Sequence, residues 1–322
     1  MRSKDISSIP NMPQSKLDYN QLKGLVARMN THILKMNITQ VIKKNSDIFK
    51  DKAVIYKITD ASGLFSVFFF LCQAYIYAKE NKADFYLENC PTWQYTYKEG
   101  WSDYFTSLHS IQPDQNPPLF YKDIQRFQHL RVQSIPHYTL FQYEQAVKDI
   151  YKPSESILKQ ANYISNEIGQ SYTSLYVRRG DKVSGKFKEM DILPTEKILE
   201  RANIKDDGSA IFVQTDDFTV LEEVRKLLPS CRVITITHPT AKGSFIEELH
   251  KLSPEEKLTH TENLLISIEV FLGGSTCWTD HRSNVGRLQK LLAFDRVHFY
   301  DEELELDRSA TIQPYYSLAA SK

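Results

Sequence analysis

The chain has no charge of one sign to spare. Forty Lys and Arg residues balance forty Asp and Glu residues over 322 positions. General attraction to nucleic acid or to a membrane surface is therefore not expected, and any cationic site has to be local. Cysteine is scarce. Cys72, Cys90, Cys231 and Cys277 stand far apart with no CxxC spacing. That argues against a structural zinc or a disulfide framework and for buried free thiols. No apolar run is long enough to span a membrane; the longest, Gly63 to Ala78, is interrupted by Ser66 and Gln73. Residues 1–16 are polar and broken by proline, so no signal peptide is read there. The expectation is a soluble protein, with the cytoplasm favoured, although the sequon Asn37-Ile38-Thr39 points weakly towards secretion. Missing too are GxGxxG, GxxxxGK(S/T), HExxH and GxSxG. There is no Asp-x-Asp triplet, and the nine histidines show no ligand spacing. No metal site is expected.

What is present is an ordinary globular balance, 41% hydrophobic and 25% charged, in a chain long enough for two domains. Leu17, Leu22, Leu25, Val26, Met29, Ile33, Met36 and Val41 predict helix over 16–49. Ala53 to Ile58 reads as a strand, Asp60 to Gly63 as a turn, Leu64 to Lys79 as a buried helix and Asp84 to Glu88 as a second strand. That is one β-α-β unit, the signature of a parallel sheet. The segment 91–140 is rich in Pro, Gln and aromatics and reads as irregular. A second α/β block follows. Helices are expected at 154–168, 194–203, 219–228, 261–272 and 284–293, and strands at 174–177, 210–214, 232–237 and 297–300. The expected architecture is α/β and GT-B-like, two Rossmann-type domains facing a cleft, divided as 1–168 and 169–322. On pattern alone it competes with many two-domain α/β enzymes.

The densest chemistry is Thr173-Ser174-Leu175-Tyr176-Val177-Arg178-Arg179-Gly180-Asp181-Lys182. A short apolar strand runs into three cations, and strand ends in α/β proteins open into the crevice where ligands sit. A solvated charge run is the bland alternative. The strand end, and Gly180 permitting close backbone approach, favour an anion site such as one for pyrophosphate. Thr215-Asp216-Asp217 ends another strand. One of its carboxylates is expected to cap the next helix, and one to accept hydrogen bonds from a base edge such as that of guanine. Ser283-Asn284-Val285-Gly286-Arg287 opens a further helix, where hydroxyl, amide and backbone N–H groups attract anions. Ser283 could equally be an ordinary cap and Arg287 a structural ion-pair partner. With no metal expected, side-chain cations would have to stabilise a leaving diphosphate.

Taken in order, these motifs resemble those of fucosyltransferases of the α-1,6 type. The similarity covers about residues 53–300. It also includes Gly63, the stretch from Tyr86-Leu87-Glu88 to Trp93-Gln94-Tyr95, Gly100-Trp101 and Phe105. The resemblance implies a GT-B fold, GDP-fucose as donor, a glycan hydroxyl as acceptor, inversion at the anomeric carbon and no metal. It implies Arg178 and Arg179 on the donor phosphates, helped by Lys182. Asp216 or Asp217 would lie on guanine, and Ser283 with Asn284, Val285 and Arg287 near the diphosphate. Gly63 and Tyr176 would complete the donor side, while Trp93, Tyr95 and Trp101 would present the acceptor surface. Tyr176 stands where animal enzymes have a guanine-contacting His, and Lys186 near where they place an acidic residue. For the base this leaves Glu189 and Asp191, with Asp181 weaker because the cations around it would keep it ionised. In length the chain is closest to the compact nodulation-type members, without the SH3-like domain or anchor of animal forms. Another nucleotide-sugar donor, or a non-catalytic nucleotide- or sugar-binding protein, are the alternatives.

Overall fold

The computed structural model describes residues 50–58, 63–108, 110–111, 121–132, 134–183, 188, 191–244, 246–301, 308–309 and 311–312. The helix expected at 16–49, the Asn37 sequon, residues 60–62 of the turn, Lys186 and Glu189 lie outside them, as does the side chain of Lys182.

Ala53-Val54-Ile55-Tyr56 is apolar without alternation, the mark of a strand covered on both faces. It forms the centre of β1 (Lys50–Lys57). Gly63 then opens α1 (Leu64–Glu80), which is buried on almost every side from Leu64 to Ala78. The longest apolar run is thus a core helix, and no helix among the described residues is long and apolar enough to cross a membrane. β2 (Asp84–Glu88) returns parallel to β1, with Ala53 opposite Asp84 and Lys57 opposite Glu88. β3 (Ser110–Ile111) and β4 (Tyr121–Phe127) complete a parallel sheet of order β3-β2-β1-β4.

The described residues of 91–140 carry more regular structure than the composition suggests. Asp103 ties down the first part, accepting the backbone N–H groups of Tyr97, Lys98, Glu99 and Gly100 at 2.9–3.0 Å. β4 escaped notice because it is an edge strand. Asp123, Ile124 and Arg126 are exposed, so no apolar run marks it. Then come α2 (His129–Val132), β5 (Tyr138–Thr139), α3 (Leu140–Ile150) and α4 (Glu155–Ile168). A capping box between Thr139 and Gln142 starts α3.

The second sheet is built from β6 (Thr173–Val177), α5 (Thr195–Arg201), β7 (Ala210–Thr215), α6 (Phe218–Leu227), β8 (Arg232–Ile234), α7 (Ile246–Leu249), α8 (Pro254–Leu272), β9 (Thr276–Thr279), α9 (Asn284–Leu292) and β10 (Val297–Phe299). Its order is β10-β9-β6-β7-β8, all parallel, and a short β11 (Thr311–Ile312) pairs antiparallel with β5. α8 begins a full two turns before the expected position. Ser253 and Glu256 form a capping box with Pro254 at the first helical position, and the early turns carry exposed polar residues that hide the period. β9, to which no element was assigned from the sequence, is the strand between β6 and β10.

Among the described residues a small apolar cluster of Ala53, Ile55, Tyr86, Ile111 and Tyr121 lies on the first sheet, and two larger ones cover the faces of the second. Leu175, Val177, Ile211 and Val213 face α5 and α6. Tyr176, Phe212 and Cys277, on the opposite face of the same sheet, join one core with Tyr56, Phe68, Trp101 and Tyr143 of the first half. Helix α9 packs against α1 and α3, and α8 lies along α4. All four cysteines are free; Cys72 and Cys277 are buried, but Cys90 and Cys231 are only half-buried, beside loops.

Candidate active site

β6, β7 and β9 are neighbours, so their carboxyl ends deliver Arg178, Asp216 and Asp280 to one edge of the sheet. Beyond Val177 the chain turns at Gly180, whose φ is +68°. A Cβ there would lie 2.5 Å from the Ser244 nitrogen and 2.6 Å from its carbonyl oxygen, so only glycine lets these two backbones meet. The Asp181 N–H seals the junction by donating to the Ser244 carbonyl at 3.2 Å.

Asp216 organises this corner. Its carboxylate accepts the backbone N–H of Arg179 at 2.7 Å and that of Ser244 at 3.0 Å. It also pairs with Arg178 Nη1 at 2.7 Å, while Arg178 Nη2 pairs with Asp181 at 2.7 Å. Burial opposes the charge on Arg178, but Asp216, Tyr176 and Asp181 more than offset it, and its pKa rises. The two arginines therefore differ. Arg178 is compensated by two carboxylates. The Arg179 side chain donates only to neutral oxygens among the described residues: the Leu193 carbonyl at 3.1 Å, Thr195 Oγ1 at 3.3 Å and the Arg178 carbonyl at 3.4 Å. The Thr195 hydroxyl donates in turn to Glu223. Arg179 is held in place with no carboxylate partner among the described residues.

Asp217 is the N-cap of α6, accepting the Thr219 N–H at 2.9 Å and its hydroxyl at 2.7 Å. Ser283 is likewise the N-cap of α9, accepting the Gly286 N–H at 2.9 Å. A Cβ on Gly286 would lie 2.0 Å from the Asp280 carbonyl oxygen, so this glycine lets α9 start directly against the end of β9. Arg287 is turned back, its Nε donating to the His281 carbonyl at 2.8 Å and Nη1 to Asn284 Oδ1 at 3.5 Å. Val285 is partly buried against the core.

Asp280 is a residue that motif reading missed, because nothing in the sequence marks it as buried. Its Oδ1 accepts the Ser283 N–H at 2.5 Å, and its Oδ2 is buried without a hydrogen-bond partner. Burial first, then the charge of Asp301, pushes its carboxyl up to about 6. An unfolded aspartate titrates near ~4, so between these values the folded chain holds the extra proton. The stability contributed is complete below the unfolded pKa and is lost as the pH climbs through about 6. Asp280→Asn should flatten this fall, which is on the order of 2 kcal/mol between about pH 4 and pH 7. Denaturant unfolding at both pH values reads it; identical slopes in the two proteins would contradict the assignment.

The first sheet reaches the same corner. Gly63 opens α1 with Tyr95 Oη 3.8 Å from where its Cβ would be. The Tyr95 hydroxyl is raised in pKa chiefly by burial, with Arg178 and Asp181 close enough to act on it in opposite directions. His260 on α8 lies close enough to feel the charges of Arg178 and Asp216. The surrounding protein and that guanidinium hold it below the usual histidine range. Burial raises the Tyr176 hydroxyl, which faces Ser283.

No family model matches the chain, and no curated protein matches it by sequence. Solved structures do. NodZ α-1,6-fucosyltransferase soaked with GDP-fucose superposes with a TM-score of 0.51 over 75% of this chain and 93% of that one. Fucosyltransferase NodZ from Bradyrhizobium gives 0.50 over 76% and 94%. The fold is that of a GT-B fucosyltransferase. At 13% identity to both, the likeness is one of fold.

Within this fucosyltransferase fold the expected acceptor surface needs correcting. Trp93 and Trp101 are 1% and 0% exposed. Trp101 stacks on Phe105 at 4.3 Å and on Phe68 at 5.9 Å, and Trp93 tilts against Tyr95 at 5.2 Å. They are core side chains under α1 and cannot present a ring to a glycan. Tyr95 is buried too. Asp181 is engaged by Arg178, and Asp191 lies on the surface, where Lys188 at 2.7 Å holds it below the carboxylate range. Among the described residues no group of three or more His, Cys, Asp and Glu side chains could hold a metal ion.

Proposed function

We propose that the protein transfers L-fucose from GDP-fucose to a glycan hydroxyl, with inversion and without a metal ion. The observation that carries this is Arg179: an anchored guanidinium with no carboxylate partner among the described residues, at the end of β6, in the same sheet edge as the N-terminus of α9. Together they suit a diphosphate, since a planar fork binds phosphate oxygens bidentately and a helix N-terminus favours an anion. NodZ α-1,6-fucosyltransferase, whose fold this chain shares, was soaked with GDP-fucose.

In this reading the donor lies on residues 169–322 and the acceptor enters from residues 1–168, where Gly63 opens α1. The acceptor oxygen attacks C1 as the C1–O bond to GDP breaks. GDP departs with the electron pair, and a carboxylate takes the hydroxyl proton. Glu189 and Asp191 are the local candidates for that base, with Asp181 the weaker one. Arg178 keeps Asp181 and Asp216 in register, and Lys182 adds a third cation to the loop.

Thermal shift against nucleotides, followed by release of GDP from GDP-fucose in excess EDTA, tests the proposal. GDP should stabilise the fold and UDP should not, and release should persist in EDTA. Better stabilisation by UDP, or binding of GDP-fucose without any release, would overturn it.

Asp216 is filled by three donors, so guanine recognition falls to Asp217, which keeps one oxygen beyond its cap. Asp217→Asn should leave stability within about 0.5 kcal/mol, because Asn caps as well as Asp. GDP affinity should drop by about tenfold or more, since one acceptor turned donor faces the base. Calorimetric titration of GDP checks both halves; unchanged affinity would make Asp217 only a cap.

A further inference from the structure

Leu193 has two roles. Its carbonyl anchors Arg179 at 3.1 Å, and it also walls a recess of about 250 Å³ that Arg179 does not line. The volume equals that of about eight waters, the bulk of roughly one sugar ring. Arg201 from the end of α5 and Arg282 from just beyond β9 both line it.

Both arginines converge on Asp301 at the end of β10. Arg282 Nε donates to its carboxylate at 3.2 Å, and Arg201 Nη1 reaches only its backbone carbonyl, at 3.5 Å. The Asp301 carboxylate is 4% exposed and is shared with His281, whose backbone N–H donates at 2.9 Å and whose Nδ1 lies 3.0 Å away. The other carboxylate on the wall, Asp191, is 92% exposed and paired with Lys188. The lining thus carries two guanidinium groups and two carboxylates, and Arg282 acts on Asp191 as well as on Asp301. Among the described residues the Arg201 side chain meets only a neutral oxygen, the Asp301 carbonyl, so its charge is the one left for a ligand.

We propose that this recess binds the acidic group of a sugar in the acceptor glycan, a carboxylate, sulfate or phosphate. The inference rests on the fucosyltransferase reading above. Paired guanidinium forks match a planar or tetrahedral oxyanion. Leu193 lines this ring-sized volume and holds Arg179 through its carbonyl, so that sugar would lie beside the group held by Arg179. The donor diphosphate is assigned to Arg179, which does not line the recess.

The test is calorimetric titration of methyl glucuronide, methyl glucoside, sodium sulfate and inorganic phosphate into the full chain saturated with GDP, and into Arg201→Gln and Arg282→Gln. Methyl glucuronide should bind and methyl glucoside should not. Each substitution should weaken the anion by about tenfold, the value of a charge-assisted hydrogen-bonded pair. Sulfate or phosphate binding lost in the same variants also supports the site and identifies the acidic group as sulfated or phosphorylated. The proposal is overturned if no anion binds, if glucoside and glucuronide bind alike, if the anions compete with GDP, or if Arg201→Gln changes nothing. Arg201 is exposed, so that variant keeps the test valid should Arg282→Gln not fold. GDP binding by the wild type is measured separately. Its failure sinks the fucosyltransferase reading, whereas absent anion binding with normal GDP binding sinks only the recess.

Discussion

Arg179→Lys should retain less than about one hundredth of the wild-type transfer rate, the usual cost of removing one preorganised donor from a developing negative charge. The guanidinium is anchored on neutral oxygens, Leu193 and Thr195 through Nη2 and the Arg178 carbonyl through Nη1, so an anion would meet its full charge. An ammonium cannot hold these anchors and an anion at once, because it is a point charge on a flexible stem. Its backbone N–H to Asp216 survives the change, so the fold should be intact. Steady-state kcat/KM with GDP-fucose, with circular dichroism and thermal unfolding as controls, reads the result. Near-normal kcat/KM in Arg179→Lys would remove the clamp from the mechanism. Thr195→Val should act in the same direction more weakly, since it removes the hydroxyl that links Arg179 to Glu223.

Gly180→Ala should cost roughly 3–5 kcal/mol of stability, adding a left-handed backbone penalty to overpacking against atoms that cannot yield. Most new methyl groups meet flexible side chains. This one would meet the nitrogen and carbonyl oxygen of Ser244 and, at 3.0 Å, an oxygen of Asp216. Moving the 244 backbone away breaks the hydrogen bonds that hold Asp216 and Asp181, and with them the placement of both arginines. Denaturant unfolding should show the loss of stability, and GDP titration a parallel loss of affinity. A variant within about 1 kcal/mol of the wild type would mean that the Gly180–Ser244 junction is soft.

Legibility in the sequence followed burial. β1, β6 and β7 are covered on both faces and announce themselves as short apolar runs between polar turns. The edge strand β4 does not, because half of Tyr121–Phe127 faces solvent. Likewise, the first turns of α8 are masked by exposed Glu255, Glu256 and Lys257. The site was legible where its chemistry is local: Arg178 to Asp181, Thr215 to Asp217 and Ser283 to Arg287 are each a few residues long. Its long-range partners were not. Ser244, Thr195, Glu223 and Asp280 are ordinary residues until the chain brings them within 3.5 Å of something. The aromatics failed for a different reason. Trp and Tyr serve a core and a sugar platform equally well, and only packing distinguishes them.

The seat of α9 on α1 and α3 has an outcome for anyone dissecting the protein. The helix that would greet the diphosphate has its other flank in the first half's interior, among residues such as Phe68 and Tyr143. Severing the chain between residues 168 and 169 would strip that flank bare on one fragment and uncover its socket on the other. Neither piece should dissolve alone; mixed together, they should recover nucleotide affinity only as a reassembled pair. The interior that keeps the two sheets together is also the mount on which the N-terminal end of α9 is aimed.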